Sequence, residues 1–337
     1  MSRKAILLLA VIMSIAPIAR TQEQQQQSED EPIKISADLT VVDAQVLSRK
    51  TGRVVGGLSK EDFTLYEDGV KQYVAHFSQD RLPLSIVLLL DISGSVQPVI
   101  NQVRDEGIAA LKLLKPEDEV AVMAFGLWAK VIQDFTKDRE AVIRSIALIE
   151  LMGPWIREGT YIDEAVYQAA THLGKASNPD SRRSIIIITD NITTQRWGEG
   201  HSGSEAMEQL MEAGVVMSSL IVTDFDSYVA EQKKLGMNVN DSISHYVRET
   251  GGLKLQTNKS DVSTKLAEII ERLRTRYSFG YTSTNQNRDG KFRKVRIELS
   301  PEVEKREGKI AILARKGYFA PRSDKQTTAP TKKQSRP

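Results

Sequence analysis

The chain has 337 residues, of which 40% are hydrophobic and 27% charged, and its formal net charge is +2. This length is sufficient to bury a sizeable core and to form two domains. The near-neutral charge argues against a nucleic-acid-binding protein. The absence of cysteine excludes thiolate metal sites, cysteine catalysis and a lipid-modified N-terminal cysteine.

The first residues carry the pattern of a secretory leader. Arg3 and Lys4 precede an uncharged stretch, AILLLAVIMSIAPIA, that is shorter than the roughly 20 residues needed to span a membrane. We therefore predict a signal peptide over residues 1–19, a disordered polar linker over residues 20–32, and a secreted or periplasmic bacterial protein. The alternative is that the leader stays uncleaved and anchors the protein to the inner membrane. We expect no membrane contact other than this segment.

Residues 33–80 have the alternation of β-strands. Apolar residues alternate from Ile33 onward, and the alternation changes phase by one residue at Val42. Such a change predicts a β-bulge or a bend between two sheets. Asp68-Gly69 stands between two alternating segments and predicts a tight β-hairpin.

Residues 82–275 alternate between strand and helix patterns. The predicted strands are Ser85–Leu90, Glu119–Phe125, Lys130–Phe135, Ser184–Thr189, Val215–Val222 and Leu253–Thr257. The predicted helices are Pro98–Leu114, Arg139–Ile149, Ile162–Leu173, Ser204–Ala213 and Val262–Arg274. Three of the strands are continuous apolar runs, which are typical of a parallel sheet buried on both faces. The pattern therefore predicts a doubly wound, Rossmann-like α/β domain.

Residues 276–320 return to strand patterns, and the last apolar run, KIAILARKGYF, reads as one strand. Neither β section has enough strands for a stable sheet of its own. We therefore predict that residues 33–80 and 276–320 form one small β-sandwich, with the α/β domain of residues 82–275 inserted in it. The polar residues 321–337 are predicted to be a disordered tail.

Oxygen-bearing side chains follow the predicted strands and loops of the α/β section. Asp91 ends the first strand and is followed by Ser93 and Ser95 in DISGS, Thr160 precedes a helix, and Asp190 follows the strand SIIIIT. Ligands of open α/β sheets bind beyond the carboxyl ends of the strands, so we expect these side chains to meet there. Such an all-oxygen set suits Mg²⁺, Mn²⁺ or Ca²⁺ and disfavours zinc.

The order DISGS, then GT, then TD resembles the metal-ion-dependent adhesion site of von Willebrand factor type A domains. The resemblance covers residues 82–275, and the flanks are similar to secreted proteins of acidobacteria that contain this domain. It implies that Ser93 and Ser95 bind the metal directly and Thr160 directly or through water, while Asp91 and Asp190 act partly through water. One coordination position would remain for a carboxylate of a protein partner.

One position departs from this family pattern. The family usually has glycine after the second aspartate, where this chain has Asn191. Asparagine tolerates a left-handed backbone better than other residues with a side chain, so we expect the loop conformation to be preserved.

Two tryptophan–arginine pairs lie in the loops that carry predicted ligands. Trp155 and Arg157 precede Thr160, and Arg196 and Trp197 follow Asp190. Tryptophan and arginine are frequent interface hot spots, and arginine binds carboxylates with two hydrogen bonds. We therefore predict that these four residues form a partner-binding rim. The alternative is that both indoles pack under their own loops.

The motifs favour binding over catalysis. The sequence lacks the Gly-x-Ser-x-Gly of serine hydrolases, a second acid two residues after Asp91 and a Walker-type nucleotide loop, and His201 is expected to be a solvated loop residue. We therefore predict a metal-dependent, adhesion-like protein-binding module that is not an enzyme, with Mg²⁺ as the favoured cation. An assembly or chaperone-like factor for an envelope partner is the alternative, and a metal-dependent hydrolase is less favoured.

Overall fold

The computed structural model describes residues 39–79, 82–94, 96, 101, 110–149, 159–195, 198–223, 225–236, 240–257 and 261–322. The predicted signal peptide and linker, most of the predicted tail and most of the predicted helix Pro98–Leu114 lie outside these residues. Among the described residues, no helix has the length and apolar character needed to cross a membrane.

The elements follow one another in three sections. The first contains the strands β1 (Leu39–Ser48), β2 (Phe63–Glu67), β3 (Val70–Lys71) and β4 (Val74–Ser78). The second contains β5 (Leu84–Asp91), β6 (Glu119–Phe125), β7 (Ala129–Thr136), α1 (Arg139–Leu148), α2 (Ile162–His172), β8 (Arg182–Thr189), α3 (Gly203–Glu212), β9 (Val216–Ile221), α4 (Phe225–Lys234), α5 (Ser242–Thr250), β10 (Lys254–Gln256) and α6 (Val262–Arg274). The third contains β11 (Tyr277–Thr282), β12 (Phe292–Leu299), α7 (Pro301–Glu307), β13 (Ile310–Ala314) and β14 (Gly317–Phe319).

The second section forms a six-stranded sheet in the order β10-β9-β8-β5-β6-β7. All neighbouring strands are parallel except β7, which is antiparallel to β6. Every residue of β5 and β6 is buried, because an apolar core lies on each face of the sheet. The sheet therefore has the doubly wound architecture that the continuous apolar runs predicted.

The first and third sections combine into two antiparallel four-stranded sheets, in the orders β13-β1-β11-β4 and β14-β12-β2-β3. Each sheet contains strands from both ends of the chain. Side chains of both sheets meet in one core, which includes Val42, Phe63, Phe279, Val295 and Tyr318. The predicted fold class, an α/β domain inserted in a small β-sandwich, is thereby confirmed. The exact domain boundaries stay predictions.

Three local predictions need correction or refinement. β1 pairs with β11 in unbroken register from Leu39 to Ala44, so the bulge expected at Val42 is absent from this pairing. The final apolar run forms two strands, β13 and β14, which belong to different sheets. The hairpin at Asp68-Gly69 is present with positive φ at both residues, although β3 is short and the next strand joins the other sheet.

A buried polar cluster joins the sandwich to the α/β sheet. Asp43 of β1 accepts hydrogen bonds from Arg182 Nε at 2.7 Å and Ser278 Oγ at 2.6 Å. Arg276 donates to the carbonyls of Gly251 and Leu313, both at 3.0 Å. Both guanidinium groups are almost fully buried. Burial by itself raises the pKa of Asp43, but the two arginines outweigh it and hold that pKa below 3.8.

Gly251 lies at the same junction, where α5 ends against β13. Its φ is 73°, and a Cβ there would overlap the main chain of Ala314. We expect Gly251→Ala to lower the free energy of unfolding by roughly 1–3 kcal/mol, because both the left-handed backbone and the close approach disfavour a side chain. Urea unfolding measures this change. Gly174→Ala is the control, since open space surrounds Gly174; equal stability losses in the two variants would contradict the prediction.

Candidate functional site

Asp91 is the buried carboxylate at the carboxyl end of β5, and its side chain is 0% exposed. Thr189 Oγ1 donates to Asp91 Oδ2 at 2.7 Å, and the Ser93 N–H donates to Oδ1 at 2.9 Å. Burial raises the pKa of Asp91 to about 7, against the effect of these two hydrogen bonds and of one from the Ser93 hydroxyl, and the nearby Asp190 adds to the increase. The described hydrogen-bond donors to Asp91 are all neutral groups. A buried carboxylate is most stable beside a cation.

Asp190 and Asn191 follow β8, the parallel neighbour of β5. Asp190 is buried, and its Oδ1 accepts the Ile192 N–H at 2.9 Å. Asn191 has a φ of 64°, the left-handed conformation expected from the sequence. Its Nδ2 donates to Asp241 Oδ1 at 2.8 Å, which ties the loop to the start of α5. The glycine that the family usually has here is thus replaced by a residue that keeps the conformation and adds a side-chain contact.

Thr160 lies immediately before Tyr161, the N-cap residue of α2, and is buried. Its N–H donates to Thr194 Oγ1 at 2.8 Å, and its carbonyl accepts the Thr194 N–H at 2.9 Å and Thr193 Oγ1 at 3.0 Å. Gly159 packs against Thr194 and Leu127 so closely that a Cβ would overlap both side chains. The loop before α2 and the loop after Asp190 are therefore held together by main-chain and side-chain bonds.

The structure places four of the nine predicted site residues at one edge of the sheet: Asp91, Ser93, Thr160 and Asp190. The other five lie outside the described residues: Ser95, Trp155, Arg157, Arg196 and Trp197. The roles of all nine as ligands or rim residues stay predictions.

The chemistry of the four placed residues fits a hard divalent cation. They offer two carboxylates and two hydroxyls, and oxygen donors of this kind suit Mg²⁺, Mn²⁺ and Ca²⁺. In the part of the chain that the structure describes, no cluster of three or more histidine, cysteine, aspartate or glutamate side chains is arranged to hold a metal. A cation at this edge would therefore depend on hydroxyl ligands beside the two aspartates, and it would balance the buried charge of Asp91.

A side-chain network supports the loop after Asp190. Glu164 Oε2 in the first turn of α2 accepts the His201 N–H at 2.8 Å and lies 2.6 Å from His201 Nδ1. The imidazole stacks on Tyr167 with ring centroids 3.5 Å apart. Gln195 Nε2 donates to the carbonyls of Glu199 and His201. His201 is thus a structural contact between this loop and α2, and a third of its side chain is exposed, so the expected solvated loop histidine is only partly solvated.

Sequence reasoning missed three other residues at this edge. Thr189 was treated only as the end of a strand, although it is the hydroxyl that contacts Asp91. Asp241 was overlooked together with its helix α5, although an aspartate before SISHYVRETG is an N-cap signal. Trp128 lies in the turn after β6 and is 63% exposed, and its position directly after an apolar strand was the signal that would have found it.

Comparisons with known proteins agree with this architecture. Residues 86–192 match the sequence profile of the von Willebrand factor type A domain. No curated protein sequence matches the chain.

Three of the solved structures that match the chain are the following. The conserved hypothetical protein BatB from Bacteroides thetaiotaomicron has 18% identity and a TM-score of 0.41, and the match covers 56% of the present chain and 98% of BatB. A von Willebrand factor type A protein from Catenulispora acidiphila has 10% identity and a TM-score of 0.43, covering 85% and 74% of the two chains. The manganese-loaded TRAP protein of Plasmodium vivax has 12% identity and a TM-score of 0.41, covering 70% and 82%.

Proposed function

Because the chain contains a von Willebrand factor type A domain, matched over residues 86–192, we propose that it is a secreted or periplasmic module that binds a protein ligand through a divalent cation. The observation that carries this proposal is the buried carboxylate of Asp91. It lies at the carboxyl edge of the sheet with Asp190, and its described donors are the hydroxyls of Thr189 and Ser93 and the Ser93 amide. A protein keeps such an unfavourable charge where a cation will compensate it.

The residues that would hold the cation are Ser93, Ser95 and Thr160 through their hydroxyls, and Asp91 and Asp190 through their carboxylates. Two carboxylates balance one divalent ion, so a third carboxylate can approach without meeting net negative charge. Mg²⁺ is the favoured ion, with Mn²⁺ and Ca²⁺ as alternatives, because few charged ligands and several hydroxyls are present. The bound cation would supply the positive charge that attracts an acidic residue of the partner.

We propose that this site binds a ligand and does not catalyse a reaction. His201 lies near a carboxylate oxygen of Glu164 and stacks on Tyr167, and these contacts join its loop to α2. The leader-like residues 1–19 support the secreted or periplasmic location, where such a module would meet other envelope or extracellular proteins.

Metal-dependent thermal unfolding tests the proposal. At 100 times its dissociation constant, Mg²⁺ adds about 2.7 kcal/mol to the stability of the folded state. We expect Mg²⁺ or Mn²⁺ to raise the melting temperature of the wild-type protein and EDTA to reverse the increase. Asp91→Asn should abolish this response. In EDTA the variant should melt close to wild type, because the removal of a buried charge offsets the loss of one hydrogen-bond acceptor.

The matched control is Asp180→Asn, an exposed aspartate in the turn before β8 at the opposite edge of the same sheet. This variant should keep the full response to Mg²⁺. A response that persists in Asp91→Asn, or one that both variants lose, would show that the cation binds elsewhere.

A further inference from the structure

Trp128 is an exposed apolar side chain on the edge of the sheet that carries the proposed cation site. It is the last residue of the turn between β6 and β7, and 63% of its surface is accessible. Tryptophan is costly to leave in water and is among the residues most often found as binding hot spots. Most of the indole surface is therefore accessible to a ligand.

The main chain around Trp128 is tied to the loops of the site. Gly126 N–H donates to the Trp128 carbonyl at 3.2 Å, and the Gly126 carbonyl accepts the Tyr161 N–H at 2.8 Å. Leu127, next to Trp128, packs on Gly159, where even a Cβ would overlap its side chain. The indole is thus presented on a rigid support, so a ligand would bind it with little loss of backbone entropy.

The sheet sets the spacing between Trp128 and Asp91. Asp91 pairs with Phe125 of β6, and Phe125 pairs with Ala129 of β7, the residue after Trp128. Neighbouring strands are about 4.8 Å apart, so Trp128 and Asp91 are roughly 10 Å apart across the edge. An extended peptide advances about 3.3 Å per residue and its side chains alternate between faces, so residues two or four positions apart share a face and lie roughly 7 or 13 Å apart, which brackets this span.

The charge beside Trp128 favours an acidic ligand. Lys130 lies two residues further along β7 and is exposed. Trp128 is the residue before β7 and Lys130 is the second residue of β7, so the ammonium group and the indole lie at the same end of the sheet. Together with the cation, Lys130 makes this part of the edge attractive to negative charge.

We infer that Trp128 is the apolar anchor of the ligand-binding edge. The ligand is an extended protein segment that gives an aspartate or glutamate carboxylate to the cation and places a large apolar side chain, two or four residues away, on the indole. The inference rests on the proposed function, because the spacing is counted from the cation site.

Selection from a library of random peptides displayed on phage tests this inference. The full-length protein is immobilised in Mg²⁺, and bound phage are released with EDTA. We expect the recovered peptides to carry an acidic residue and a large apolar residue two or four positions apart. Synthetic copies are then titrated against the wild type and four variants: Trp128→Ala, Trp128→Phe, Val131→Ala and Ser93→Ala.

Trp128→Ala is expected to weaken peptide binding about thirtyfold, and Trp128→Phe to recover part of the affinity. Val131, 38% exposed on the same strand, is the matched control, and Val131→Ala should change affinity by no more than about twofold. Trp128→Ala must keep the Mg²⁺-dependent melting increase, because the indole is not a ligand of the cation.

Two failures can be told apart. If EDTA-released peptides lose binding to Ser93→Ala but bind Trp128→Ala as tightly as wild type, the indole is not the anchor and the proposed function stands. If EDTA releases no peptide, or if the recovered peptides bind Ser93→Ala like wild type, the proposed function fails and the anchor fails with it.

Discussion

Asp43→Asn is expected to lower the free energy of unfolding by about 3–5 kcal/mol, the cost of removing one partner from a buried ion pair. Asp43 lies between Arg182 and Arg276, whose guanidinium groups are both buried. Without the carboxylate, these two positive charges would remain in the interface with no opposite charge from Asp43. Urea unfolding of the two proteins at neutral pH measures the difference.

Asp138→Asn is the matched control for this substitution. Asp138 is half exposed and pairs with the exposed Arg144 at 3.5 Å, and it caps α1 through the Ala141 N–H. Asparagine keeps the cap, so the control should lose no more than about 1 kcal/mol. Similar losses in Asp43→Asn and Asp138→Asn would show that the buried pair does not hold the two layers together.

The same interface predicts a pH dependence. The pKa of Asp43 lies below its ordinary value of 3.8 in the folded protein, because the two arginines outweigh burial. Its stabilising contribution is therefore complete above about pH 4 and is lost as the pH falls through the lowered pKa. We expect the stability difference between wild type and Asp43→Asn to be constant near neutral pH and to shrink below pH 4. A difference that grows on acidification would contradict the ion pair.

Deletion of residues 39–80 is expected to abolish the soluble monomer. It removes β1 and β4 from one sheet and β2 and β3 from the other, and leaves the core side chains of β11 and β12 without their partners. Tyr277, Phe279 and Ile297 are among the apolar residues that would face water. Size-exclusion chromatography should show aggregation, because exposed apolar strands with open edges associate.

The fragment of residues 82–275 is the complementary test. Its six strands need no pairing partner from the flanks, so we expect cooperative unfolding and an intact Mg²⁺ response. Arg182 would lose Asp43 but would be solvated, which avoids the cost of a buried unpaired charge. A monomeric, cooperatively folded deletion variant would disprove the shared sandwich. An unfolded fragment would instead show that the α/β sheet depends on it.

The sequence alone predicted the elements whose pattern of apolar residues can be recognised without knowing what they pack against. β6 and α6 have the predicted bounds, Glu119–Phe125 and Val262–Arg274. A strand buried on both faces is continuously apolar and an amphipathic helix has a period of 3.6 residues, so each is visible in a short window. α4 was missed because the pattern of Phe225–Lys234 is mostly polar, and α5 because its apolar face was not recognised between two strands.

The sequence was enough to predict which strand ends form the candidate site, but not which side chains contact one another there. A parallel sheet brings the carboxyl ends of its strands to one edge, so the positions of Asp91 and Asp190 after apolar runs were enough to bring them together. The contact of Thr189 with Asp91 was not predictable, because hydrogen-bond partners across neighbouring strands depend on register. The position of Trp128 beside the site was not predictable either, because it depends on the order of β5, β6 and β7 in the sheet.

What the sequence determined by itself is the fold class and the order in which the predicted oxygen donors follow the strands, since both depend on local periodicity and on the order of strands. What only the tertiary structure decided is which distant groups pair. Arg182 meets Asp43 across 139 positions of the chain, and the final apolar run divides between two sheets at Lys316. Charge and hydrophobicity specify that such groups need a partner, but they do not specify which one, because that choice depends on how the layers pack.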